Sequence, residues 1–183
     1  MSQTTTLFRV SSEDFKQLAF SKNEGIANFN PTTKESIDFQ GSFNAIEFLI
    51  IKILGKKNAV VNDLSPKTLQ EIGEDVNNMA EDDYIQFLIE NDQEILNAVF
   101  YYDGESIAKI LSILSDVTDV AIGENYDSKE LNENGIYPVR WHDDNSDDQA
   151  FNQNHIIQDI AEFRRILKDA ETEDDYILFS YDF

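Results

Sequence analysis

Cysteine is absent from the 183-residue chain, which excludes disulfides, thiolate metal sites and cysteine nucleophiles and fits a reducing compartment. Proline and glycine are scarce as well, at 3 and 7 residues, and they are scattered. No Pro/Gly-rich linker, internal repeat or low-complexity block breaks the chain, so one continuous domain over residues 1–183 is the expectation. Long apolar runs are also missing. The most apolar stretch, Phe48 to Leu54, is interrupted by Lys52 and is far shorter than the roughly 20 residues of a membrane-spanning helix. Met1 to Arg9 shows no basic stretch followed by a long apolar core, so no secretory signal is read there and a cytoplasmic location is expected.

Positive charge is the last scarcity: 14 bases face 36 acids, for a formal charge of -22. Residues 1–115 hold 18 acids and 9 bases, whereas residues 116–183 hold 18 acids and only 5 bases. Such a field repels phosphate backbones and anionic headgroups, which argues against nucleic-acid and membrane partners, and it steers a basic protein toward the C-terminal third. The plainer reading is that the acids only keep the protein soluble. The composition otherwise favours folding. Hydrophobic residues make up 41% of the chain, with 13 Phe and 7 Tyr, well above the apolar poverty of disordered acidic chains.

The periodicity points to α+β, with helices packed on a small mixed or antiparallel sheet. Thr4 to Val10 reads as a strand, and Ser11, three residues before Asp14, as a cap for a helix through Phe20. Ser21 to Gln40 is rich in Asn, Gly, Pro and Thr and is expected to be irregular. Phe43, Ile46, Ile50, Ile53 and Leu54 recur at helical spacing before Gly55, which marks a central core helix and its stop. Ser65-Pro66 reads as a helix entrance leading to Val76, and Tyr84 to Val99 as an amphipathic helix. Ala98 to Tyr102 fits either its last turn or a strand. A helix follows through Ile107, Ile110, Leu111 and Leu114, with further turns over Val117 to Tyr126. Ile156, Ile157, Ile160, Phe163 and Leu167 form a helical stripe with Asp159, Glu162, Arg165 and Asp169 on the wet side, and Tyr176 to Tyr181 reads as a strand.

Several of these residues together resemble a known family. Tyr126-Asp127, Leu131, Gly135-Ile136-Tyr137-Pro138 and Trp141 lie between a helix of the Ile107 to Leu114 kind and a helix ending in a short strand. This order resembles the YfbM-like proteins, domain of unknown function 1877. Leu7-Phe8-Arg9-Val10 and Ile37-Asp38 ahead of the apolar helix match more loosely, and Gln40, Gly41, Ser42 and Phe43 stand where the family tends to have a Lys and a Trp. The resemblance implies the family's fold and a bacterial source. It implies no catalytic or binding residue.

The densest set of chemically active side chains is Tyr137, Arg140, Trp141, His142, Asp143 and Asp144, extended by Asp147 and Asp148. One reading makes His142 with Asp143 or Asp144 an acid/base pair or part of a ligand set. The other packs Tyr137 and Trp141 against the core and leaves the acids on a solvated turn. Consecutive His-Asp-Asp side chains diverge, and His155 has no ligand-like spacing to His142. Asp143, Asn145 and Asp147 alternate as in a calcium loop, but Asp148 and Asn154 occupy the places of its glycine and bidentate glutamate. There is no Gly-x-Ser-x-Gly elbow, P-loop or Gly-x-Gly-x-x-Gly, so no metal or cofactor is expected. The acid pairs, such as Asp82-Asp83 and Asp174-Asp175, read as solvated surface. Aromatics at Phe100 to Tyr102 and Tyr176 to Phe183 fall on both faces of strands, and the face turned from the core is a candidate contact for a protein partner. Two functions are consistent with all this. One is a non-catalytic acidic module that masks a basic protein, of the inhibitor or immunity type. The other is a small enzyme or ligand-binding domain with its site around Tyr137 to Asp144.

Overall fold

A computed structural model describes residues 4–20, 32–55, 62–69, 99–146 and 149–182. The first strand, β1 (Thr4–Val10), leads into helix α1 (Ser12–Phe20). Ser11 Oγ accepts the Asp14 amide at 3.0 Å, the cap that the Ser-x-x-Asp spacing announced. β2 (Thr33–Phe39) then pairs antiparallel with β1, which corrects the irregular reading of its part of Ser21 to Gln40; residues 21–31 lie outside the described set. The segment is poor in β-formers. It holds because it sits at the sheet edge, where polar side chains are tolerated on the wet face, while Ile37 and Phe39 face the core.

Helix α2 (Phe43–Leu54) buries Phe43, Ala45, Ile46, Leu49 and Ile50, and ends at Gly55 in the left-handed region, φ 59°. This is the core helix and stop that the apolar spacing marked. Pro66 does not open a helix. It precedes β3 (Lys67–Leu69), which pairs with β4 (Val99–Tyr102), a position proline accepts because it starts an edge strand and owes no ladder hydrogen bond there. The helices expected through Val76 and from Tyr84 fall on residues 70–98, outside the described set, whereas Val99 itself belongs to β4.

The remaining elements are α3 (Gly104–Leu114), α4 (Asp119–Asn125), α5 (Ser128–Glu133), α6 (Gln153–Glu173) and β5 (Tyr176–Asp182). Asp103, Thr118, Asp127 and Asn152 each cap the helix that follows by accepting an amide hydrogen bond through the side chain. The sheet has the order β2-β1-β5-β4-β3, and every pairing is antiparallel. The architecture is α+β. Leu7, Phe39, Tyr102, Ile177 and Phe179 line the face covered by α2, α3 and α6, and the main core forms between them. The opposite face carries a smaller cluster of Val10, Phe15 and Leu178. There Phe15 of α1 stacks on Tyr176 at 3.9 Å and tilts against Tyr101 at 4.8 Å. The aromatics on this second face therefore pack under α1 instead of presenting a free aromatic surface; Phe183 is outside the described residues. Among the described residues, no helix is long and apolar enough to cross a membrane.

A buried ion network locks one end of this sheet. Asp175, 3% exposed, accepts from Lys34 Nζ at 2.9 Å and from Arg9 Nη1 at 3.3 Å, so three strands or strand ends share one carboxylate. Arg9 is also paired with Glu35 and Glu173. Asp175→Asn leaves Arg9 with fewer counter-charges in a poorly solvated place and is expected to cost about 3 kcal/mol, at the lower end for a broken buried pair, read by urea unfolding.

Glu47 of α2 behaves oppositely. Burial pushes its carboxyl up with no cation among the described residues offsetting the effect, and its proximity adds to the upward displacement of the Tyr102 and Tyr181 hydroxyls, the latter to about 12. A carboxyl whose folded pKa is raised destabilises the fold once ionised, so this cost appears as pH rises through the folded value and is absent below the unfolded one. Glu47→Gln should therefore melt higher than the parent at pH 7, with the difference vanishing near pH 4.

Candidate functional site

The segment Tyr126 to Asp144 is assembled by helix ends. Tyr126 closes α4 and donates its hydroxyl to His142 O at 2.7 Å, and partial burial raises that hydroxyl to about 12. Asp127 caps α5 through the Glu130 amide. At the other end of α5, Gly135 takes φ 69° and donates to Asn132 O, while Ile136 donates to Leu131 O at 3.0 Å. This paired closure needs a left-handed residue after the helix, which is why glycine stands there. Ile136 O then accepts both Val139 N and Trp141 Nε1, each at 2.9 Å. A turn with a cis Tyr137-Pro138 bond lies between them.

Trp141 is 3% exposed and part of the main core. Its amide and carbonyl are both held by the Asn132 side chain, at 2.9 and 3.0 Å, so Asn132 acts as a short surrogate strand. Tyr126, Asp127, Ile136 and Trp141 thus serve to fix this connection. Tyr137 is half-buried, whereas Arg140, His142, Asp143 and Asp144 are exposed. Arg140 lies over the Phe151 ring at 4.6 Å. Asp144 accepts from Ser146, which holds its carboxyl below the usual range. The six residues therefore share a segment without converging: the indole is spent on packing and the charged groups face outward. Asp147 and Asp148 lie outside the described residues.

A second polar cluster escaped the sequence reading. Asp159, placed on the wet side of its helix by periodicity, instead has a side chain only 17% exposed. Its Oδ2 lies 3.4 Å from His155 Nε2, one helical turn away, and the Ser42 hydroxyl at the start of α2 lies against it. Burial pushes the Asp159 carboxyl up; Ser42 and His155 pull it back, and Glu162 adds to the rise. Ser42 Oγ and Asp159 Oδ2 are buried without a well-formed hydrogen bond among the described residues. His155 Nδ1 accepts the Phe151 amide at 3.1 Å, so its neutral ring carries the proton on Nε2. A metal at Nε2 needs Nδ1 as a donor, and this arrangement makes it an acceptor. Ser42 is fully buried and contacts the aspartate, not the imidazole, so the trio is not a nucleophilic triad. Among the described residues, no group of three His, Asp or Glu side chains is arranged to hold a metal. The signal that could have exposed Asp159 was its i+4 spacing from His155.

A groove of about 470 Å³ lies elsewhere, lined by Leu114, Ser115, Thr118, Asp119, Val120 and Arg164. Val120 is 70% exposed at its rim. Arg164 Nη2 donates to Leu114 O, which also accepts the Val117 amide, and to Val117 O, beside the end of α3.

The family model described as "Domain of unknown function (DUF1877)" matches residues 1–180. Among solved structures, the chain is similar to a protein of unknown function, YfbM from Escherichia coli, at 15% identity and a TM-score of 0.56, covering 100% of both chains. No curated protein matches. The resemblance carried by Tyr126-Asp127 and the Gly135 to Trp141 element is thereby borne out. Removing the Asn132 amide leaves the Trp141 backbone unpaired in the core, and Asn132→Ala is expected to cost about 2 to 3 kcal/mol by chemical denaturation, with a change in Trp141 emission.

Proposed function

The chain belongs to the DUF1877 family, and on that premise we propose that it is a non-catalytic binding module whose acidic C-terminal third docks a basic protein. One observation carries the reading: most of the described cations are engaged by acids or carbonyls of the chain itself. Arg9, Lys34, Lys52, Lys67, Lys109, Lys129 and Arg165 are all in ion pairs, and Arg164 is spent on backbone carbonyls. Asp116, Asp119, Glu124, Asp127 and Asp143 are exposed and take part in no ion pair among the described residues. Their field stays unneutralised at the surface, where it steers a cationic partner and repels polyanions. The groove beside Asp119 and Val120 supplies some shape and apolar area amid this charge.

The competing reading, a ligand or catalytic site around Tyr137 to Asp144, has less support. The groove is lined by none of those six residues, and Trp141 is committed to the core.

Affinity capture of the tagged protein from its native lysate tests the proposal, with a low-salt and a high-salt wash. A basic protein is expected at low salt and is released at high salt. A variant combining Asp116→Asn, Asp119→Asn, Glu124→Gln and Asp143→Asn is expected to slow its association about tenfold or more. Capture of no basic protein, or equal association by the variant, overturns the reading.

A further inference from the structure

The contact between His155 and the preceding turn is built so that a single proton can break it. We infer that protonation of His155 releases Phe151 from its left-handed conformation and loosens the acidic turn of residues 142–146, making this segment a pH-responsive element.

Phe151 sits at φ 59° without being glycine, a conformation that a side chain bearing Cβ adopts at a cost and keeps only when its surroundings hold it. The holding contacts are specific. The Phe151 amide donates to His155 Nδ1 at 3.1 Å, and its carbonyl accepts the His142 amide at 2.9 Å. Its ring meets Trp141 edge-on at 5.7 Å and His155 at 5.5 Å, with Arg140 above it. A neutral imidazole has one acceptor nitrogen, and here that nitrogen is Nδ1. The imidazolium has none. Adding the proton turns Nδ1 into a donor facing another donor, so the Phe151 amide must move, and the His142 amide bonded to its carbonyl moves with it. Asp143 and Asp144 follow His142 directly.

Charged and polar groups face this contact from each element packed on it. On its own helix His155 faces Asp159, with Glu162 beyond it. The preceding turn contributes Arg140 over the Phe151 ring. From α2 comes the neutral Ser42 hydroxyl against Asp159. Asn152 limits the extent of the motion: its side chain donates to Asp144 O and Ser146 O and accepts the His155 amide, so the turn loosens at Phe151 while its base stays attached to α6. The inference is independent of any partner.

Trp141 is the only tryptophan and touches Phe151, so its emission reports the change. Titration of the full chain from pH 8 to pH 5 is expected to show one sigmoidal emission step in the histidine range. His142→Gln should retain the step and His155→Gln should abolish it. Circular dichroism at both ends of the titration checks that each variant is folded. In the unaltered protein, the Phe151 amide resonance should titrate with the His155 imidazole by NMR, a readout that needs no substitution. Absence of the step, its persistence in His155→Gln, its loss in His142→Gln, or a Phe151 amide that does not follow His155 overturns the inference.

Discussion

The last strand, β5, occupies the middle of the sheet, and most of the structure depends on that placement. It pairs with β1 along its whole length, from Tyr176↔Val10 to Asp182↔Thr4, and with β4 through Phe100↔Phe179 to Tyr102↔Ile177. Ile177, Leu178 and Phe179 are consecutive and all buried, as a strand covered on both faces requires. The first and last described strands thus zip together in the centre. The β1–β2 pair and the β3–β4 pair join the same sheet only through β5. Its pairings also have long sequence separation, so their closure entropy must be offset by the cluster around Phe179 and by the Asp175 ion network at the strand's entrance.

Charge in this protein divides into two populations. Near the sheet end, Arg9, Lys34, Glu35, Arg165, Glu173 and Asp175 form a connected network tying β1, β2 and α6 to the start of β5. On the α2 side, Lys52 reaches Asn125 O and Glu130 and so joins α2 to α4 and α5. Cations are few, and structural pairing takes most of those described. The surplus of acids is left at the surface between α3 and α6, where water screens it.

Several elements were legible because a single local rule governs them. The Ser11 cap, the Gly55 stop, the apolar period of α2 and α6, and the aromatic strand β5 all depend on nearest neighbours or on helical and strand periodicity. The misses have a common cause. β2 has a polar, turn-like composition and becomes a strand because β1 offers it an edge; Lys67 to Leu69 follows a proline that looks like a helix start and is captured by β4. Asp159 sits at a wet helical position by count, yet α2 begins against it and takes it out of water. The candidate site fared in the same way. Its members were visible as a dense segment, but whether Trp141 faced a ligand or the core depended on the Asn132 side chain and the Ile136 carbonyl, whose roles no local pattern announces.

Composition and periodicity were enough to point to an acidic α+β chain, because burial and helix termination follow from residue type and spacing, and the Tyr126-Asp127 and Gly135 to Trp141 elements carried its resemblance to the family. The order of strands, the partners of each charge and the meeting of Phe151, His155, Asp159 and Ser42 were settled only by tertiary structure. Those contacts join residues remote in sequence, and the free energy that decides them, desolvation against pairing, depends on which surfaces are finally brought together.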